Sequence, residues 1–305
     1  MKRALLVAML AAGCANPVDS FRAAAPAQQA VNLNLPAGGL GASSAGETTA
    51  ALVGQRASFY ELTRGVTVVV NGGVGLTLLL LEHLTDGYPS ALTATHASWG
   101  PYTDALSPST WKFDVDKVGP EDYAYTLAGK PKLADDSGYQ AVIAGKAHVV
   151  SRTVGSGDFT LDFTALAAID GSNKSVGSIA VHYDNSSSPR VVEVAFKDFA
   201  DGNGSYTPND ALYRYAEQAD HSGNFEFVTR ADVDHDLLQQ KETVAIVSRW
   251  LGSGQGRSDV KASGGSLAGD ASLSECWSAS FARTYFTDSW RPSDTEGDLS
   301  SCQPQ

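Results

Sequence analysis

Few residues in this chain combine type and spacing in a way that does chemistry. Gly252-Ser253-Gly254-Gln255-Gly256 sets a serine among glycines. A nucleophile elbow, however, needs Gly-x-Ser-x-Gly on a strand-to-helix turn, and this run reads as a hairpin turn. The six histidines, His83, His96, His148, His182, His221 and His235, include no pair at i, i+2 or i+4, the spacings that aim two imidazoles at one metal. No phosphate loop, dinucleotide fingerprint or His-Glu-x-x-His occurs. Asp232-Val233-Asp234-His235-Asp236 puts carboxylates at alternate positions, as a calcium loop does at its start. That loop also needs a Gly after the third ligand and a Glu at the twelfth position, where this chain has Leu237 and Thr243. A solvated acidic connection is the primary reading, with ion binding by Asp232, Asp234 and Asp236 as the alternative. Asp201-Gly202-Asn203-Gly204-Ser205, running on to Asp210, divides the same way between turn and ion loop. The aromatic residues Trp99, Tyr102, Trp111 and Trp250 read first as core and rim packing, and second as the lining for an apolar ligand or glycan. No catalytic residue, metal or cofactor is assigned.

The chain that must position these residues has 305 of them, with a net charge of −12, 43% hydrophobic and 18% charged. That composition supports a buried core and excludes wholesale disorder. The acidic balance excludes nucleic acid as the main partner, because phosphate binding needs clustered Lys and Arg. Eleven Tyr, eleven Phe and five Trp favour strands.

Residues 1–14, MKRALLVAMLAAGC, open with Lys2 and Arg3 and continue as an apolar run from Ala4 to Ala12. A run this short cannot cross a bilayer, which takes about 20 residues, and it has the layout of a secretory signal. Leu10-Ala11-Ala12-Gly13-Cys14 resembles the lipobox of bacterial lipoproteins. The resemblance implies cleavage after residue 13, acylation of the Cys14 thiol and of the new N-terminus, and a membrane partner reached through acyl chains. Ala15 in place of Asp implies the outer membrane, with the body facing the periplasm or the cell surface.

Residues 14–56 are rich in Ala, Gly, Ser, Pro and Gln and read as a lipidated cysteine followed by a flexible tether. A coil of about 42 residues has an r.m.s. reach of roughly 35 Å. Val31, Leu33 and Leu35 alternate, so a short strand docked on the body is the other reading. Residues 57–86 carry apolar positions Leu62, Val66, Val69, Val70, Gly73, Leu76, Leu80 and Leu84 at helical spacing. Ser58 and Glu61 suit a capping box, and Gly87 and Pro89 a stop. The competing signal is a hairpin at Asn71-Gly72. From about residue 110 the pattern turns to period two, in rows such as Tyr123/Tyr125/Leu127, Phe159/Leu161/Phe163 and Val192/Val194/Phe196, separated by Gly/Asn/Asp/Ser clusters. These predict a mainly β fold: a curved antiparallel meander or incomplete barrel of about nine or ten strands packed on one buried N-terminal helix. The expected limits are a signal at 1–13, one domain at 57–290 and a tail at 291–305. Cys276 and Cys302 form an even pair in an exported chain and are expected to bond, stapling that tail; the alternative is two free thiols.

The helix-then-meander layout resembles envelope lipoproteins of delta-proteobacteria and, in outline only, half-barrel lipid carriers. Three functions follow as expectations. The leading one is a non-enzymatic, membrane-anchored scaffold bound to other envelope proteins. The second is a carrier or sensor of a lipid-like ligand. The third is an enzyme whose residues meet only in space.

Overall fold

The computed structural model describes residues 17–36, 53–200, 202, 208–234 and 240–303. Cys14 and Asp236, sequence candidates for lipidation and ion binding, lie outside them.

Fifteen strands form one open antiparallel sheet in strict chain order. They are β1 (Ala91–Leu92), β2 (His96–Tyr102), β3 (Ser109–Lys117), β4 (Asp122–Pro131), β5 (Gln140–Val149), β6 (Gly155–Asp162), β7 (Val176–Asp184), β8 (Arg190–Ala200), β9 (Asn209–Glu217), β10 (Gly223–Ala231), β11 (Glu242–Trp250), β12 (Gly256–Ser263), β13 (Ala271–Trp277), β14 (Arg283–Asp288) and β15 (Glu296–Gly297). The meander expected from sequence is present and does not close into a barrel. There are more strands than the nine or ten expected. The extra ones include β1 and β2, where Trp99-Gly100-Pro101-Tyr102 had read as a turn, and strands such as β12 (GRSDVKAS), whose small inward residues give little alternation.

Inward positions along the strands are buried: Phe113 and Val115, Tyr123, Tyr125 and Leu127, Val192 and Val194, Tyr213 and Tyr215. At five cross-strand pairs a large aromatic ring folds over the glycine directly opposite it: Trp111 and Gly129, Tyr125 and Gly145, Tyr183 and Gly157, Trp250 and Gly223, Trp277 and Gly256. A Cβ at any of these glycines would stand 2.5–2.8 Å from the aromatic side chain. The glycines therefore leave room for a ring to fold across the neighbouring strand, and the ring covers backbone that the glycine exposes. The outward face carries an in-register row of charge, Lys146, Asp158, His182, Glu193, Arg214 and Glu226, from β5 to β10. Opposite charges facing each other across strands support pairing on a face open to water.

The buried helix is α3 (Ser58–Thr85), about 42 Å long at 1.5 Å per residue. It crosses the concave face from β13 and β14 to β2. Tyr60, Thr63, Thr67, Leu78, Leu81, Leu84 and Thr85 are buried, whereas Leu62 is 43% exposed. Of the stripe expected from sequence, Leu84 is buried, Val66 half-buried and Leu62 exposed; the side chains of Val69, Val70, Leu76 and Leu80 are not among those described. The face against the sheet is partly polar because the sheet answers it. Thr63 Oγ1 lies 2.8 Å from Ser248 Oγ, and Thr67 Oγ1 3.4 Å from the Tyr213 hydroxyl.

Both ends of α3 are held by charge from elsewhere in the chain. At the start, Glu275 of β13 accepts from Ser58 N at 3.0 Å and Phe59 N at 2.6 Å, and it is ion-paired with Arg283 of β14. At the end, Arg22 donates to Thr85 O, Asp86 O and Gly87 O at 2.8, 3.2 and 2.9 Å. An anion at the N-terminus and a cation at the C-terminus satisfy orphan backbone groups and oppose the helix dipole. The expected capping box is not formed: Ala57 is the N-cap, Ser58 turns to Glu275, and Glu61 pairs with Arg56.

Arg22 belongs to the segment expected to be a tether, and here the structure corrects the sequence. Residues 17–36 are a strap along α3, with α1 (Pro17–Ala24) and α2 (Gln28–Val31). Val18, Phe21, Ala24, Ala30, Val31 and Leu33 are buried in the main core. The Asn71 side chain bonds both Leu33 N (2.9 Å) and Leu33 O (3.0 Å), so the residue that signalled a hairpin holds the strap at mid-helix. Asn34 N donates to the Tyr215 hydroxyl at 3.2 Å, and Arg190 reaches Asn32 O. The expected body of 57–290 is also too short at its other end. Cys276 and Cys302 are bonded, with Cα atoms 5.3 Å apart, and β15 adds the tail to the sheet.

Candidate functional site: an apolar hollow beside the helix

The strap covers the concave face at one end of the strands, the end that carries the β3–β4, β5–β6 and β7–β8 turns. At the opposite end, a hollow of about 630 Å³ opens between α3 and the sheet. Leu62, Gly65 and Val66 of α3 form one wall, and Phe196 and Phe199 of β8, Ala211 of β9 and Phe227 of β10 the other. Glu61 and Asn209 stand at its rim; Asn209 is bonded to Thr229 Oγ1 and Arg230 O.

A strand bulge builds this wall. Phe196 and Phe199 are three apart, which in a regular strand would put them on opposite faces. The β8–β9 register shifts between them, and Asp198 adopts a φ of +47°. The bulge turns both rings inward, with centroids 5.5 Å apart. Phe199 also meets Phe163 edge-on at 5.2 Å, the first residue of α4 (Phe163–Ile169). Phe163 had been expected to extend the β6 row; instead Asp162 caps α4 by accepting from Ala165 N.

Asp210 pins the bulge, accepting from Asp198 N at 2.9 Å and Lys197 Nζ at 3.1 Å. The Asp198 backbone N–H and the Lys197 ammonium hold its carboxyl below the usual range. A carboxyl lowered by folding stabilises the native bulge above its unfolded pKa, about 3.9, and that contribution is lost as pH falls through the folded value. Asp210→Asn should therefore reproduce at neutral pH the loosening that wild type shows only in acid. Amide exchange of the β8–β9 register shift checks this: equal protection in the variant and wild type at pH 7 would remove Asp210 as the pin.

The aromatic candidates from sequence are placed elsewhere. Trp99 is fully buried and donates to Gly87 O at 3.0 Å; Trp111 donates to Ser109 Oγ at 3.0 Å and Trp250 to His221 O at 3.0 Å. Tyr102 is exposed at the end of β2. None of the four lines the hollow.

Asp232 and Asp234 come together instead with Glu242, their ligand oxygens lying within 4.8 Å of one another. Glu242 is buried and takes the Val233 and Ser266 backbone N–H groups at 2.9 and 3.1 Å, while Ser266 Oγ donates to Asp234 at 3.0 Å. This arrangement ties two loops together. His96, His148, His182 and His221 each pair with a carboxylate, Asp116, Asp122, Asp158 and Glu217, at 2.8–2.9 Å. The first three are cross-strand pairs on the outer face, remote from the hollow.

Compared with known proteins, the chain matches no family model, no curated protein and no solved structure.

Proposed function

We propose that this is a lipid-anchored, non-enzymatic binding protein of the bacterial cell envelope, which holds a lipid-like ligand in the hollow between α3 and β8–β10. One observation carries the reading: a bulge gathers Phe196 and Phe199 beside Phe227 in a wall of hydrocarbon that the strap leaves open. Its volume falls within the roughly 300–1,000 Å³ of small-molecule sites. The lining supplies apolar area without a nucleophile, which suits retention rather than turnover. The anchor rests on the lipobox resemblance at Cys14. A second reading, a scaffold that docks another envelope protein, draws support from Leu62 and Val68 of α3, 43% and 63% exposed.

The test is titration of the mature chain with a fluorescent fatty acid. Phe227→Glu puts a charge in the wall, and losing one buried aromatic contact, about 1.5–3 kcal/mol, should weaken binding roughly 10- to 100-fold. Trp111→Phe, away from the hollow, should bind as wild type. Unchanged affinity in Phe227→Glu would remove the carrier reading and leave the scaffold.

A further inference from the structure

The strap changes where the body stands relative to the membrane. Cys14 and Pro17 are three residues apart, and three residues span at most about 11 Å. From Pro17 onward the chain is fixed: Val18 is 0% exposed, Phe21 packs edge-on against Tyr123, and Arg22 is bonded to the end of α3. A lipid on Cys14 is therefore not separated from the body by a long coil.

We infer that the end of the sheet carrying the β3–β4 and β5–β6 turns rests on the lipid surface, an inference that builds on the Cys14 anchor proposed above. Phe21 sets α1 against Tyr123, next to the β3–β4 turn, where Val118 N donates to Asp122 O at 2.9 Å. The β5–β6 turn adjoins it through Val149 N and Glu121 O, also 2.9 Å. Two exposed apolar side chains stand on these turns: Val118 at 64% and Val150 at 58%. Lys117 and Arg152 stand beside them, and Arg152 is paired with Glu82 of α3 at 3.8 Å. Small apolar side chains with nearby cations suit the headgroup boundary. In a meander, alternate turns fall at opposite ends, so this posture holds the mouth of the hollow, beside Phe199 and Asn209, away from the supporting leaflet. Ligand would then exchange with the aqueous side.

The test uses full-length protein extracted from membranes, its acylation read by mass, in phosphatidylcholine–phosphatidylglycerol vesicles with brominated acyl chains. Single cysteines introduced by Val118→Cys, Val150→Cys or Leu133→Cys carry a bimane label; Cys276 and Cys302 are protected by their bond. Leu133 is 98% exposed at the opposite end of the strands. The expected result is quenching at least about three-fold stronger at 118 and 150 than at 133, because the acyl boundary lies within ~5–10 Å of an interfacial surface. A Gly/Ser spacer of about 20 residues before Pro17, reaching roughly 25 Å, should abolish the difference. Equal quenching at all three positions in acylated protein overturns the posture alone. An unacylated mass overturns it together with the anchor.

Discussion

Deleting residues 15–36 should leave a chain that does not fold. The strap buries Val18, Phe21, Val31 and Leu33 in the main core, and burial of each such side chain contributes about 1.5–3 kcal/mol. Their sum, roughly 6–12 kcal/mol, is as large as the net stability of an ordinary domain, about 5–15 kcal/mol. The deletion also strips Arg22 from the carbonyls of Thr85, Asp86 and Gly87 and leaves the Asn71 amide without Leu33. Near-UV circular dichroism and urea unfolding of the truncated chain make the comparison. A cooperative transition at the wild-type midpoint would mean that the segment is a tether after all.

The second large effect is expected at Glu275. Its side chain is completely buried, paired with a 6% exposed Arg283, and takes the first N–H groups of α3. Glu275→Gln leaves the guanidinium buried without its counter-charge, which costs about 3–5 kcal/mol. For a chain of this size that is a fall in Tm of roughly 10 °C. Replacing both partners, Glu275→Leu with Arg283→Met, should recover part of the loss, because an apolar pair leaves no charge uncompensated. Removing an exposed pair such as His182 and Asp158 should change stability by less than about 1 kcal/mol. If thermal melts of the Glu275 and Asp158 variants were indistinguishable, the clamp on α3 would have no energetic weight.

The meander was legible because inward and outward residues alternate in most strands and because turn clusters separate them. The helix was legible from the spacing of its apolar residues, but its orientation was not. Thr63 and Thr67 face the sheet because Ser248 and Tyr213, 185 and 146 residues away in the chain, supply their partners. The strap was hidden for a related reason. An Ala- and Gln-rich segment has little periodicity of its own, and its order comes from docking: Leu33 onto Asn71, Arg22 onto a helix end. Glycines inside strands weaken a strand signal, whereas in the fold Gly129, Gly145, Gly157, Gly223 and Gly256 each accommodate a ring from the opposite residue. The hollow left the faintest trace. Phe196 was visible as part of a β row, but Phe199 joins it only through the bulge at Asp198, which no local pattern announces. Trp99, Trp111 and Trp250 read first as packing residues and second as a ligand lining; their indole N–H groups are spent on Gly87, Ser109 and His221. Cys276 and Cys302 were readable because, with Cys14 set aside for the lipobox resemblance, they are the two cysteines left to pair.

The most direct test of the apolar hollow as a ligand site is native mass spectrometry of residues 15–305, secreted without the lipid anchor and purified in the absence of detergent. The expected result is an added mass that dissociates as a single lipid-like molecule and is absent from Phe227→Glu. A clean apo mass for wild type, after exposure to envelope lipid extract, would contradict it.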